Sequence, residues 1–149
     1  IGISGASGHL GKAVLKRLSE LPGEFEVAGI SRSPQSVQYA DEARFGDYDD
    51  QDSLRDAYLG LDRLLIIPTL DLEYGARARQ LVHAIDAAIN ASIGHIILIS
   101  DVGTREESEP HVGAASWLGE QHLIKSAPRW TILRANYFME SFDTKNRKH

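Results

Sequence analysis

Short apolar runs alternate with longer amphipathic stretches along the whole chain, and that alternation sets the expected architecture. Ile1-Gly2-Ile3 opens as a strand. Leu10, Ala13, Val14, Leu18 and Leu21 recur at helical spacing and predict a helix from about His9 to Glu20, stopped by Pro22-Gly23. Residues 25–30 form a second strand, ended by the polar turn Ser31-Arg32-Ser33-Pro34. A short helix is expected over about 34–42 and a third strand over 44–48. Asp49, Asp50 and Asp52 then offer N-caps to a helix ending near Gly60. Residues 61–68 are continuously apolar, as in a strand covered on both faces. Tyr74 to Ala91 is the longest helical pattern, with Ala78, Leu81, Val82, Ile85, Ala88 and Ile89 as its apolar stripe. A fifth strand (95–100), a loop (101–113), a helix (114–126) and a sixth strand (130–134) complete the series. Alternating strands and helices predict a Rossmann-like α/β fold: a doubly wound parallel sheet in three α/β/α layers, built with right-handed crossovers.

Between the first strand and the first helix lies Gly5-Ala6-Ser7-Gly8-His9-Leu10-Gly11. A strand, a glycine-rich turn and a helix are the parts of a site for a dinucleotide pyrophosphate. Gly5 suits a tight turn. Gly8 leaves room for N–H groups to approach phosphate oxygens at a helix N-terminus, whose dipole favours anions. Gly11 lets the helix lie close on the strand. The spacing is G-x-x-G-x-x-G, not the dehydrogenase G-x-G-x-x-G.

The totals narrow the classes. At 149 residues one domain is expected, spanning 1–142, with a frayed polar tail over 143–149. The 42% apolar and 25% charged content is that of a soluble globular protein. A net charge of -5 argues against direct contact with nucleic acid, and no apolar run approaches the length that spans a bilayer. The absence of cysteine removes disulfides, thiolate nucleophiles and Cys-ligated metals, and suits a reducing cytoplasm. The chain starts at Ile1, inside the expected first strand, so an initiating Met and one or two strand residues are expected to precede it.

In a sheet of this kind ligands sit at the carboxyl ends of the strands. Arg32, just past strand two, faces the adenosine ribose there. An arginine at that position pairs with the 2′-phosphate of NADP, whereas a carboxylate would take the 2′-hydroxyl of NAD, and none stands between Ile30 and Gln38. The alternative for Arg32 is a solvated surface residue. Asp47 either receives the adenine amino group or caps the turn into the next helix. Pro68-Thr69 and Ser100 end strands four and five on the same rim, as candidates to flank the ribose and nicotinamide. A Tyr-x-x-x-Lys pair, the acid–base device of short-chain dehydrogenases, is absent: none of the five tyrosines has a lysine four residues on. There is no Gly-x-Ser-x-Gly elbow and no His-Glu-x-x-His metal site. Glu120 and His122 point to different faces of their helix and make no dyad. His111 is expected to be a solvated loop histidine, and Trp117 core or pocket wall. No catalytic side chain and no metal ligand is assigned.

With these residues placed, the sequence resembles the NmrA-like branch of the atypical short-chain dehydrogenase/reductase superfamily, and within it the type-2 NADPH:quinone oxidoreductases. The resemblance rests on the glycine turn, Ser31-Arg32-Ser33-Pro34, Gly46-Asp47-Tyr48, Leu59-Gly60-Leu61-Asp62 and above all residues 130–140, Trp-Thr-Ile-Leu-Arg-Ala-Asn-Tyr-Phe-Met-Glu. It covers nearly the whole chain, as far as Phe142. Members of that branch continue well beyond this point into a substrate lobe, so the chain looks like the cofactor-binding part of a longer protein. Many relatives carry a lysine three residues before a glutamate in the late helix; here Trp117 stands at that distance from Glu120.

The resemblance implies NADP(H) preferred over NAD(H), held by Gly5, Ser7, Gly8, His9, Leu10, Gly11, Arg32, Asp47, Tyr48, Pro68, Thr69 and Ser100, with the nicotinamide near Asn136 and Tyr137. It implies direct hydride transfer to a bound quinone or similar small molecule, which needs orientation and exclusion of water more than an acid–base residue. Two other readings keep the nucleotide: a non-catalytic NADP sensor that signals to a protein partner, and, more weakly, an isomerase or epimerase.

Overall fold

The computed structural model describes residues 1–71, 73, 75–106 and 112–136. Six strands, β1 (Gly2–Ser4), β2 (Ala28–Ser31), β3 (Glu42–Phe45), β4 (Arg63–Ile66), β5 (His95–Asp101) and β6 (Trp130–Ala135), form one sheet in the order β3-β2-β1-β4-β5-β6, with every neighbouring pair parallel. Helices α1 (His9–Glu20), α2 (Gln51–Tyr58), α3 (Ala76–Asn90) and α4 (Val112–Ser126) alternate with them. This is the Rossmann-like three-layer α/β/α fold that the alternation predicts. The strand order reverses at β1, between the β1–β2 and β1–β4 pairs, which opens a crevice above the carboxyl end of β1.

The two faces are buried unequally. Alternate residues of the strands point to opposite sides. Ala28, Ile30, Leu64, Ile66, Ile96 and Leu98 pack under α2, α3 and α4 against Leu54, Ala57, Tyr58, Leu81, Ile85 and Leu123. Ile3 and Val27 pack under α1 with Leu15, joined by Leu65 and Ile67. A buried leucine or isoleucine contributes about 1.5–3 kcal/mol through removal from water, so the larger cluster carries most of the stability. Asp50 is the N-cap of α2: its Oδ1 accepts from the Ser53 N–H at 3.2 Å.

Two expectations need correction. The helix expected over 34–42 is only a single 3-10 turn, Pro34–Ser36. Beyond it Val37 is extended and Tyr39 takes a positive φ of 65°. Val37 and Ala40 close over Gly29, where a Cβ would meet Val37 Cγ1 at 2.5 Å. The Asp41 carboxylate accepts from the Val27 N–H at 2.8 Å, and β3 therefore starts at Glu42, earlier than its apolar residues indicate. The stripe of α3 is also rotated. Its buried face is Ala76, Arg77, Gln80, Leu81, Ala84, Ile85, Ala87 and Ala88; Ile89 is partly buried and packs against the core, while Ala78 and Val82 lie off it. Two polar residues thus occupy core-facing positions that the apolar pattern assigns elsewhere. No helix among the described residues is long and apolar enough to cross a membrane.

Candidate functional site

The residues singled out in the sequence converge on one rim, at the carboxyl ends of the parallel strands. The turn from β1 to α1 supplies Gly5, Ser7, Gly8, His9, Leu10 and Gly11; Arg32 follows β2; Asp47 and Tyr48 follow β3; Pro68 and Thr69 follow β4; Ser100 lies in β5 and Asn136 just past β6. Tyr137 and His111 lie outside the described residues.

The three turn glycines do different work. Gly5 has φ +89°, in the left-handed region, and the carbonyl of Ile67 approaches it so closely that a Cβ would lie 3.0 Å from that oxygen. The N–H groups of Gly5 and Ala6 both donate to the Ile30 carbonyl at 3.1 Å, which pins the turn to β2. Gly11 meets the same turn from the helix side. A Cβ there would collide with the Gly5 carbonyl oxygen and stand 2.8 Å from Ala6 Cα, so the close approach of α1 requires glycine. Gly8 is different. Its φ of -76° and ψ of 171° suit any residue, it is exposed, and a Cβ would touch only the Gly5 oxygen at 3.6 Å. Among the described residues nothing demands glycine at this position, and the space in front of it is open.

That space faces the N-terminus of α1. No side chain caps this end and its first turn has no acidic residue. The first-turn N–H groups, with no partner inside the helix, present a partial positive charge to it. Ser7 Oγ and Ser31 Oγ are hydrogen-bonded at 2.7 Å, and the Ser33 N–H donates to Ser31 Oγ at 3.0 Å, which ties the glycine turn to the Arg32 turn. Arg32 is exposed and makes no hydrogen bond or ion pair among the described residues. The exposed Arg32 turn and the uncapped, glycine-lined helix end are thus linked through Ser7 and Ser31.

Farther along the rim, several hydroxyls are occupied within the chain. Asp47 Oδ1 accepts from the Asp49 N–H at 2.9 Å, so the turn-capping role weighed for Asp47 is present. The Tyr48 hydroxyl donates to the Ile67 carbonyl at 2.8 Å, beneath the turn, and burial pushes its pKa far above the ordinary tyrosine value. It supports the floor beneath the turn. Tyr58, buried and bonded to Ser4 Oγ at 2.7 Å, is likewise raised by burial. The hydroxyl of Thr69 donates to Gln80 Oε1, and its carbonyl accepts from Arg77 Nη1 at 2.7 Å.

Ser100 belongs to a cluster at the end of β5 that sequence reasoning did not find. Its Oγ lies 3.0 Å from Thr104 Oγ1. Glu120, only 1% exposed, receives Arg134 Nε at 3.0 Å and Nη2 at 2.7 Å, a bidentate pair from β6 to α4. Burial pushes the Glu120 carboxyl up, but the hydrogen bonds from Arg134 and Ser100 and the guanidinium charge outweigh it and hold the group below its usual range. His122, on another face of α4, bonds Asp86 Oδ1 at 2.6 Å, so Glu120 and His122 form no dyad, as their spacing predicts. Trp117 is half-buried, outside the core clusters. The polar residues Arg77 and Gln80, three apart on α3, carried a signal that a purely apolar stripe overlooks. Among the described residues no group of three or more His, Cys, Asp or Glu could hold a metal ion.

The pair Glu120–Arg134 has a pH consequence. A carboxyl held below its ordinary value stabilises the fold fully above pH 4.5 and loses that contribution as pH falls through the folded pKa. The melting temperature of the wild type should therefore drop more steeply below pH 4.5 than that of Glu120→Gln, whose amide does not titrate. Circular-dichroism melts from about pH 3 to pH 7 measure this. Parallel curves for the two proteins would show that no ionised pair is lost.

Comparison with known proteins agrees with this geometry. The family model described as NAD(P)H-binding matches residues 5–148. Quinone oxidoreductase 2 of Escherichia coli (strain K12) is 27% identical over 150 residues, covering 95% of this chain and 50% of that protein. Sanguinarine reductase of Eschscholzia californica is 29% identical over 145 residues, covering 87% and 49%. The solved structure of an NADPH-dependent quinone oxidoreductase from Escherichia coli, in complex with NADPH, superposes with a TM-score of 0.81 at 27% identity, over 95% of this chain and 50% of that one. Triphenylmethane reductase of Citrobacter sp., solved with NADP(H), shares the fold with a TM-score of 0.83 at 24% identity, over 95% and 50%. The chain spans about half the length of the curated relatives it matches. With that match across nearly the whole chain, the chain belongs to the NAD(P)H-binding family.

Proposed function

We propose that this chain holds NADPH along the rim and presents its nicotinamide for direct hydride transfer to a quinone-like small molecule. The observation that carries the reading is Gly8, a glycine that no contact among the described residues requires, in front of an uncapped helix end. Gly5, Ser7, Gly8, His9, Leu10 and Gly11 surround the pyrophosphate through backbone N–H groups. Arg32 takes the 2′-phosphate, which favours NADP(H) over NAD(H). Asp47 retains a second carboxylate oxygen for the adenine. Pro68 and Ser100 flank the ribose and nicotinamide, with Asn136 and Tyr137 beyond.

Bound NADPH supplies a hydride, which together with a proton reduces the acceptor. The side chains orient the nucleotide and exclude water from it. Two features support a transfer without a titrating tyrosine. No Tyr-x-x-x-Lys pair exists, and the Tyr48 hydroxyl is spent on Ile67. Relatives named as a quinone oxidoreductase and a sanguinarine reductase support a small electrophilic acceptor.

The test is NADPH oxidation by the full-length protein against a panel of quinones, followed by absorbance. Turnover of at least one quinone that depends on the protein is the expected result. Tight NADPH binding with no turnover of any acceptor would sink the reductase reading and leave the sensor that signals to a protein partner.

A further inference from the structure

Gln80 sits on the first turns of α3 and is 5% exposed. A primary amide offers one acceptor oxygen and two N–H donors, and here all are engaged. Its Oε1 accepts the Thr69 hydroxyl. Its Nε2 lies 3.3 Å from both carboxylate oxygens of Asp49 and 3.2 Å from Asp71 Oδ2. Asp49 belongs to the rim loop after β3; Thr69 and Asp71 belong to the rim loop after β4. One buried amide therefore joins two adjacent rim loops, and does so by holding two like-charged carboxylates together. The Gln80 hydrogen bond is the main reason why the Asp49 carboxyl is held below its usual range, ahead of Arg79 and His83.

One turn earlier, Arg77 grips the same threonine by its carbonyl and reaches Ser116 Oγ at 3.5 Å and Asp101 Oδ2 at 3.9 Å. Thr69 is thus held by main chain and side chain at once. The loop it belongs to begins at Ile67, whose carbonyl forms the floor under Gly5. The same carbonyl accepts from the Tyr48 hydroxyl, so this loop is joined both to the glycine turn and to the loop after β3.

We infer that Gln80 is a positioning residue for the nucleotide site, which sets the gap between the loops after β3 and β4 where the adenosine half lies. The inference rests on the proposed course of the dinucleotide along this rim. Gln80 touches no ligand; it acts through Thr69, Asp49 and Asp71.

The test is Gln80→Glu, which keeps the size of the side chain, deletes both N–H donors and adds a third carboxylate. The charged and titratable groups facing it are Asp49 and Asp71 from the two loops and Arg77, Arg79 and His83 on α3. At about pH 8 the three carboxylates repel and the loops part. At about pH 5.5 they share a proton, and a protonated Glu donates one hydrogen bond back. NADPH and 2′,5′-ADP affinities are measured by titration at both pH values and divided by the wild-type values. The expected result is a loss of about tenfold or more at the higher pH, for both ligands, that largely recovers at the lower pH.

Gln80→Met, which cannot titrate, should bind weakly at both. A residue that merely stabilised the fold would lower the melting temperature without a pH-dependent affinity. Wild-type affinity in a folded Gln80→Glu at pH 8, or a loss independent of pH, overturns the inference. If Gln80→Glu does not fold, Thr69→Val serves, since it removes only the hydroxyl: NADPH should bind several-fold more weakly, and unchanged affinity overturns the inference. A wild type that binds neither ligand would overturn the site reading itself, a distinct outcome from a wild type that binds while the variants are unaffected.

Discussion

Gly8→Val should abolish dinucleotide binding while the fold survives. The backbone at this position is extended and accepts a β-branched residue, and the new Cβ meets only the Gly5 oxygen at van der Waals distance. The cost to stability is that of a poor N-cap, about 1 kcal/mol. Binding suffers far more. The isopropyl group fills the open space before the α1 N-terminus and keeps a phosphate from the first-turn N–H groups. Each hydrogen bond to a charged group is worth about 1.5–3 kcal/mol, so losing two weakens binding by roughly 10²-fold or more. Gly11→Ala is the contrasting control. Its Cβ strikes the backbone of Gly5 and Ala6, so any lost affinity comes with a lower melting temperature. NADPH fluorescence titration and circular dichroism on both variants separate the two roles. Wild-type affinity in folded Gly8→Val would remove the turn from the site.

Arg32→Ala should erase most of a preference for NADPH over NADH. Arg32 is exposed, free of ion pairs among the described residues, and tied to the glycine turn through the Ser7–Ser31 hydrogen bond. No carboxylate follows β2 to compete for the ribose. A guanidinium–phosphate hydrogen bond is worth about 1.5–3 kcal/mol, or roughly 10- to 150-fold, and exposure to solvent places the effect toward the lower end. The loss should fall on NADPH alone, leaving NADH nearly unchanged. Arg32→Asp should go further and repel the 2′-phosphate. Because solvent ions screen such a contact, the preference should shrink as salt rises. Dissociation constants for both nucleotides, in wild type and Arg32→Ala at two ionic strengths, decide this. Equal weakening of both, or equal wild-type affinities, would make Arg32 an ordinary surface arginine.

The order of strands and helices, the parallel sheet, the glycine turn and its rim were all legible in the residues. Each depends on local spacing: a period of two or 3.6, a glycine where a Cβ has no room, a proline that ends a helix. The amphipathic pattern of α1 predicts its bounds, His9–Glu20, because its single buried stripe is local information. The expected helix over 34–42 failed because Val37 leaves helical geometry, Tyr39 takes a positive φ of 65°, and Val37 and Ala40 pack over Gly29, a contact made across the fold.

What only the tertiary structure decided is which polar groups on the rim are already spent. Tyr48 finds Ile67, 19 residues on; Thr69 finds Gln80, 11 residues on; Arg77 finds Ser116, 39 residues on; and Arg134 finds Glu120, 14 residues back. Spacing along the chain says nothing about such partners, since each pair meets only when separate strands and helices are brought to one rim. A buried polar group must be paired or pay for its desolvation, so the polar face of α3 could be recognised as a clamp only once the loops it holds were in place. The glycine turn and the position of Arg32 just past β2 were readable in the sequence because both are local features. The amide that holds the rim together was not, because its three partners come from two loops that are brought together only by the folded sheet.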